Sequence, residues 1–110
     1  MNSVFLTGHG GNEVVQVGEQ PRPTPGPGEV LVRMRASTLN QVDLYMRNSG
    51  AGITHQLPQI MGLDGAGEVE STEGDPAFTT GQRVLVHPGI ACGRCEFCLR
   101  GQDVLCTRYS

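Results

Sequence analysis

A mainly β domain carrying a metal-binding lobe near one end is the fold class this sequence predicts, and three observations support it. Sixteen glycines and seven prolines cut the 110 residues into short pieces. Several of these pieces are β-branched or alternate in polarity, as short strands do. All four cysteines lie in one stretch, CGRCEFCLRGQDVLC, from Cys92 to Cys106. The length suits one domain with one core and no linker.

Taken in order, VFL and EVVQV read as strands, and EVLVRMRAS as a longer one. In that segment Val30, Val32 and Met34 alternate with Leu31, Arg33 and Arg35, the period of a strand with one buried face. PRPTPGPGE, just ahead of it, lacks amide donors at its prolines and reads as an extended connector. A short helix fits QVDLYMRNSG, with Asp43 in its first turn, Arg47 near its end and Gly50 as a stop. AGEVE and QRVLV complete the strands, and another helical turn is expected around Glu96.

Charge excludes some functions. With a net charge of -3 and no lysine, the chain has no basic stripe for nucleic acid. Its nearest approach to a charge run is acidic, Glu68, Glu70, Glu73 and Asp75, and reads as a solvated face and turn. MNSVFLTGHG lacks the basic and long apolar regions of a signal peptide, and no apolar run has the length of a membrane span. The expectation is a cytoplasmic protein without a membrane partner. Thiols stay reduced in that compartment, so clustered cysteines read first as metal ligands.

The spacing C-x2-C-x2-C-x7-C is suited to a single ion. Ligands three apart on a tight turn converge, and the longer spacer returns Cys106 to close a tetrahedron of sulfurs at about 2.3 Å from a zinc. Gly93 and Gly101 suit the turns. Four thiolates would leave zinc no open position, so Cys92, Cys95, Cys98 and Cys106 would hold a structural ion. An iron–sulfur cluster is the sharper rival, because the first three cysteines share the ferredoxin-like run. Against it, the fourth comes after seven residues and no proline follows. Disulfides and free redox thiols are the remaining alternatives. Arg94, Arg100 and Arg108 would offset the excess negative charge, or simply add surface solubility.

The chain resembles the N-terminal part of a zinc-containing medium-chain dehydrogenase/reductase, the superfamily of zinc alcohol dehydrogenases and quinone oxidoreductases. The resemblance runs through GHGGNEVVQV, PGPGEVLVRMRASTLNQVDLYMR, LPQIMGLDGAGEVE and FTTGQRVLVHPG to the cysteines. It implies a GroES-like, partly open β-barrel over residues 1–110, with a zinc lobe at 88–110. It also implies NAD or NADP as cofactor, a small-molecule carbonyl, quinone or alcohol as substrate, and a homo-oligomeric full-length protein.

In zinc alcohol dehydrogenases a second, open zinc is held by ligands that include a cysteine shortly before an aspartate and a histidine directly before a glutamate. Here Asn40 stands at the cysteine's position and Leu63 at the histidine's, so that site is expected to be absent. Asp64 remains at the glutamate's position, with the plainer task of fixing the turn among Gly62, Gly65 and Gly67. LNxxD resembles the metal-free quinone-oxidoreductase-like branch. There Asn40 would lie beside the nicotinamide, hydrogen-bonding substrate or cofactor, while Asp43 and Arg47 fix its helix. Tyr45 is a candidate proton donor or a packing residue. His9 and His55 read as solvent-exposed, and His87 as the histidine best placed for a pocket or for a structural role.

The superfamily's Rossmann domain has a glycine-rich turn between strand and helix. GLDGAG has another glycine order and leads into EVE, and TGHGG leads into a strand, so a Rossmann domain is expected to be absent from this chain. Two functions remain open. One is the substrate-side domain of an oxidoreductase, inactive by itself; the other is a free-standing, zinc-stabilised, non-enzymatic interaction module. An exposed apolar stripe would favour the first.

Overall fold

The computed structural model describes residues 1–52 and 55–110. Its strands form two antiparallel three-stranded sheets. In the first, β1 (Asn2–Leu6) lies between β2 (Val15–Glu19) and β4 (Gln59–Ile60). In the second, β5 (Gly65–Ser71) lies between β3 (Leu31–Ser37) and β6 (Arg83–Val86). The helices are short: α1 (Gln41–Ser49) follows β3, and α2 (Glu96–Leu99) is a single turn in the cysteine segment.

Local chemistry accounts for two departures from the strands expected of the sequence. EVVQV does not begin as a strand, because the Glu13 carboxylate accepts the Gly11 N–H at 2.8 Å and closes a 3-10 turn over Asn12–Val14. β4 has only two residues, defined by the pairing of Phe5 with Ile60 and Leu6 with Gln59.

β3 also differs. The face expected to be buried through Val30, Val32 and Met34 ends at Val32, and Met34 is 48% exposed. The ladder to β5 is irregular between Leu31 and Val32 and again between Met34 and Ala36, and such bulges break a strict two-residue alternation. Beside them the β3 backbone crowds β5. A Cβ on Gly67 would lie 2.5 Å from Arg33 O and 2.6 Å from Val32 Cγ1, so only glycine fits there.

α1 is fixed at both ends. At its start the Asn40 N–H donates to Asp43 Oδ2 at 2.7 Å, and Asp43 is only 2% exposed. This carboxylate offsets an unpaired amide of the first turn and suits the positive end of the helix dipole. At its end Gly50 adopts φ 73° and donates its N–H to Met46 O, and further donors reach the last carbonyls. Gly10 N–H donates to Arg47 O at 2.8 Å, His9 Nδ1 lies 2.9 Å from Met46 O, and His55 Nε2 lies 2.9 Å from Gly50 O. His9 is exposed as expected. His55 is half-buried, so the sequence reading of it as a loop group in solvent is corrected: the helix end holds it.

The core is small. Leu6 of β1 and Val69 of β5 are the large apolar side chains buried most completely among the described residues. The accessible surface is 7813 Å², against about 5,900 Å² from the scaling for a monomer of this mass. The radius of gyration is 15.7 Å, where about 13 Å is usual for this length. Leu39 (81% exposed) and Leu85 (84% exposed) stand on the uncovered surface. No helix among the described residues is long and apolar enough to cross a membrane.

Two outcomes follow. Gly67→Ala should lower stability by about 1–3 kcal/mol through backbone overpacking, read as a reduced urea midpoint with unchanged slope. The 110-residue chain should enhance the fluorescence of an apolar-surface dye such as ANS, and Leu39→Ser with Leu85→Ser should weaken that signal without lowering the melting temperature; an unchanged signal would place the dye elsewhere.

Candidate metal centre and the polar cluster beside α1

The four cysteines come together through local turns. Cys95 caps α2, with Leu99 N–H donating to Cys95 O at 3.0 Å. A 3-10 turn over Asp103–Leu105 then delivers Cys106. Gly93 and Gly101, at φ 71° and 72°, take the left-handed conformation that lets the chain wrap. Across the base of this segment Ile90 and Ser110 exchange both backbone hydrogen bonds, at 2.7 and 3.1 Å.

All four sulfurs lie within 4.8 Å of one another, with Cys95–Cys98 at 3.4 Å and Cys92–Cys98 at 3.9 Å. A tetrahedron with zinc–sulfur bonds of about 2.3 Å has edges of about 3.8 Å, so the cluster could hold one such ion. It is tighter than the cage of irons and sulfides in an iron–sulfur cluster would require. Amide donors also reach the sulfurs: Cys92 N–H and Arg108 N–H each lie 3.3 Å from Cys106 Sγ.

The Arg94 backbone amide, ahead of other donors, draws the Cys92 thiol down to about 6. Burial, and then the Cys95 sulfur, pushes Cys98 up to about 12. Cys95 is lowered, first by the Cys98 amide. Two of the thiols are thus drawn toward the thiolate while burial resists a third, an opposition that a divalent cation would relieve. Arg100 pairs with Glu96 at 3.8 Å, and Arg108 meets the cluster through its backbone N–H.

A second group of polar side chains gathers where β3 ends and β5 begins. Thr38 Oγ1 donates to Asp64 Oδ1 at 2.7 Å. Asn40 Nδ2 lies 3.1 Å from Thr38 Oγ1 and 3.4 Å from each Asp64 oxygen. The Thr38 hydroxyl, followed by the Asn40 amide, holds the Asp64 carboxyl below the usual carboxylate range. Thr38 and Asp64 line an open cleft of about 310 Å³ whose other walls include Ala36, Ala66, Leu85 and Val86.

Asn40 and Asp64 are thus together, and Asp43 is next to them at the helix start. Asp64 is engaged mainly by side chains, where the sequence suggested a backbone turn. Leu63 lies apart from the cleft, lining a narrow space with Leu6, Asp43 and Met46. Tyr45 is 53% exposed and makes none of the cluster's hydrogen bonds. Arg47 reaches Asn12 Oδ1 at 2.5 Å and Asn48 Oδ1 at 2.8 Å. His87 is exposed, and its Nδ1 accepts from Gly89 N–H at 3.2 Å within its own turn. Thr38 was missed by sequence reasoning; no motif spacing marks it.

Residues 26–110 match the family model described as "Alcohol dehydrogenase GroES-like domain". The chain is 41% identical to L-threonine 3-dehydrogenase of Pyrococcus furiosus over 99 residues, covering 87% of this chain and 28% of that protein. It is similar in structure to an NAD-dependent alcohol dehydrogenase, with 42% identity and a TM-score of 0.89 over 100% of this chain and 32% of the other. A quinone oxidoreductase of Pseudomonas syringae pv. tomato is also similar, at 35% identity and a TM-score of 0.70, covering 76% of this chain and 26% of that one. The chain spans less than a third of the length of these relatives.

The lobe's local wrapping generates an expected outcome. Cys106→Ser should leave three thiolates and an open position, so that mild chelators strip the metal and the remaining thiols oxidise. The sheets should keep their far-UV signature and a cooperative, lowered melting transition; collapse of the whole domain would make the ion part of the core.

Proposed function

The chain belongs to the alcohol dehydrogenase GroES-like domain family, the N-terminal part of the medium-chain dehydrogenases/reductases, and from that premise we propose that it is the substrate-side domain of an NAD(P)-dependent oxidoreductase with a structural zinc and no catalytic zinc. Zinc would be held by Cys92, Cys95, Cys98 and Cys106, filling all four positions, so that it fastens the lobe and offers no site to water or substrate. The substrate would be a small carbonyl, quinone or alcohol, and the full-length protein a cytoplasmic homo-oligomer.

The observation that carries this reading is the contrast between two donor sets. Four sulfurs converge on one closed position within 4.8 Å. By contrast, Asn40 and Leu63 offer an amide and an aliphatic chain where a second metal would need a thiolate and an imidazole. Asp64 alone remains, and Thr38 and Asn40 already engage it.

A dinucleotide cradle would be built by other residues than these. The glycines from Gly62 to Gly67 run into β5, and no helix follows them. When bound, a nicotinamide cofactor would supply the hydride chemistry. This chain would contribute the start of α1, set by Asn40 and Asp43, and the cleft beside it. The extent of uncovered apolar surface supports a domain that further protein covers, over a free-standing interaction module.

Metal analysis after exhaustive dialysis should give about one equivalent of zinc per chain. Two equivalents would restore a catalytic zinc, and iron with a brown chromophore would move the cysteines to the rival assignment. Titration of NADPH into the 110-residue chain should show no saturable micromolar binding, and such binding would overturn the assignment of the cofactor site to other residues. In the full-length enzyme Asn40→Ala should reduce turnover with zinc content unchanged, while the loss of an N-cap side chain lowers stability by about 1 kcal/mol.

A further inference from the structure

Each of the two sheets ends in an open strand. In the order β2-β1-β4 the outer side of β2 has no strand beside it among the described residues, and in the order β3-β5-β6 the same holds for β6. An unpaired edge offers its backbone N–H and C=O groups to another strand.

Which residues offer them follows from the pairing on the inner side, because residues whose amides face the neighbour alternate with residues whose amides face away. Met1 and Gln20 exchange both backbone bonds, at 2.7 and 2.9 Å, so Gln20 faces β1 while Glu19 and Val17 face outward. In the second sheet Val69 N–H donates to Gln82 O at 2.9 Å, so Gln82 faces β5 while Arg83 and Leu85 face outward. The two edges share one spacing. Laid antiparallel, a β2 edge meets a β6 edge with Val17 opposite Leu85 and Glu19 opposite Arg83, and both pairs fall where two strands exchange hydrogen bonds.

The side chains match in that register. Val17 and Leu85 are 78% and 84% exposed. Arg83 makes no ion pair among the described residues, and Glu68, across the ladder from it, is held by Arg35 at 3.2 Å. Glu19 meets the amino terminus of Met1 at 2.9 Å, yet its side chain stays 74% exposed. Pro21 and Pro88, which lack an amide donor, close the match at either end. Symmetric contacts fit less well, because β6 on β6 and β2 on β2 would each bring like charges together or leave them unpaired.

We propose that the outer edge of β2 in one copy of this chain docks on the outer edge of β6 in a second copy as an added antiparallel strand, with the Glu19–Arg83 pair fixing its register. The contact joins unlike surfaces, so it runs head to tail and leaves each copy an edge for the next. Four residues a side make a small contact, and association through it is weak and transient. It uses neither the cysteine cluster nor the cleft, and it does not rest on the oxidoreductase reading.

The test follows the 110-residue chain from about 10 µM to about 1 mM, under reducing conditions that prevent disulfides between copies. Weight-average mass by sedimentation equilibrium should rise with concentration. The backbone amides of Val17, Glu19, Arg83 and Leu85 in the 15N-labelled chain should shift in parallel. Arg83→Glu and Glu19→Arg, each alone, should weaken association roughly fivefold, since each sets like charges opposite one another. An equimolar mixture of the two variants should recover it, because every β2 then finds a β6 of opposite charge. That recovery also shows that the variants are folded. A monomeric mass across the whole range, association unaffected by Arg83→Glu, or a mixture no better than its components would overturn the proposal. Shifts confined to one of the two edges would overturn it as well, as the mark of a different occupant.

Discussion

The antiparallel ladder between β3 and β5 is the constraint on which the site depends. It ends with Ser37 opposite Gly65. The residue after one strand and the residue before the other, Thr38 and Asp64, are therefore brought face to face across a separation of 26 positions in sequence. The N-cap of α1, Asn40, comes two residues beyond Thr38 and so falls beside the same carboxylate. The ladder can close this tightly because Gly67 admits the β3 backbone. A register slip of one residue would turn these side chains to opposite faces and scatter the cluster.

The two donor sets are assembled by different means. The four sulfurs lie within one short segment and are gathered by local turns, so closing that loop costs little chain entropy. Oxygen and amide donors at the cleft come from separate strands and a helix cap, and exist only when the sheet is formed. Their chemistry differs to match: soft thiolates suit a borderline metal, whereas a single hard carboxylate among apolar walls suits hydrogen bonding.

Legibility in the sequence divided along the same line. Cysteine spacing specified which residues converge, because ligand geometry is short-range and written in the intervals. Most strands were visible in β-branched and alternating segments, and α1 in its acidic start and glycine stop. β4 was not, because two residues flanked by Pro58 carry no periodicity and acquire strand geometry only from β1. Met34 misled for a related reason: alternation assumes an unbulged ladder with a covered face, and β3 has neither throughout. The Thr38–Asp64 bond was hidden because it follows from register, and the helix-end duty of His55 because it depends on tertiary approach.

The reciprocal bonds between Ile90 and Ser110 have an evolutionary consequence. In an antiparallel pair of this kind the two Cα atoms stand about 5.5 Å apart, little more than one peptide step. A gene that lost the intervening codons would bring together ends that already touch. The cysteine segment is thus a cassette, open to gain, loss or exchange between lineages without a new path for the sheets. Selection can act on the cysteine cluster and on the cleft as separate inheritances.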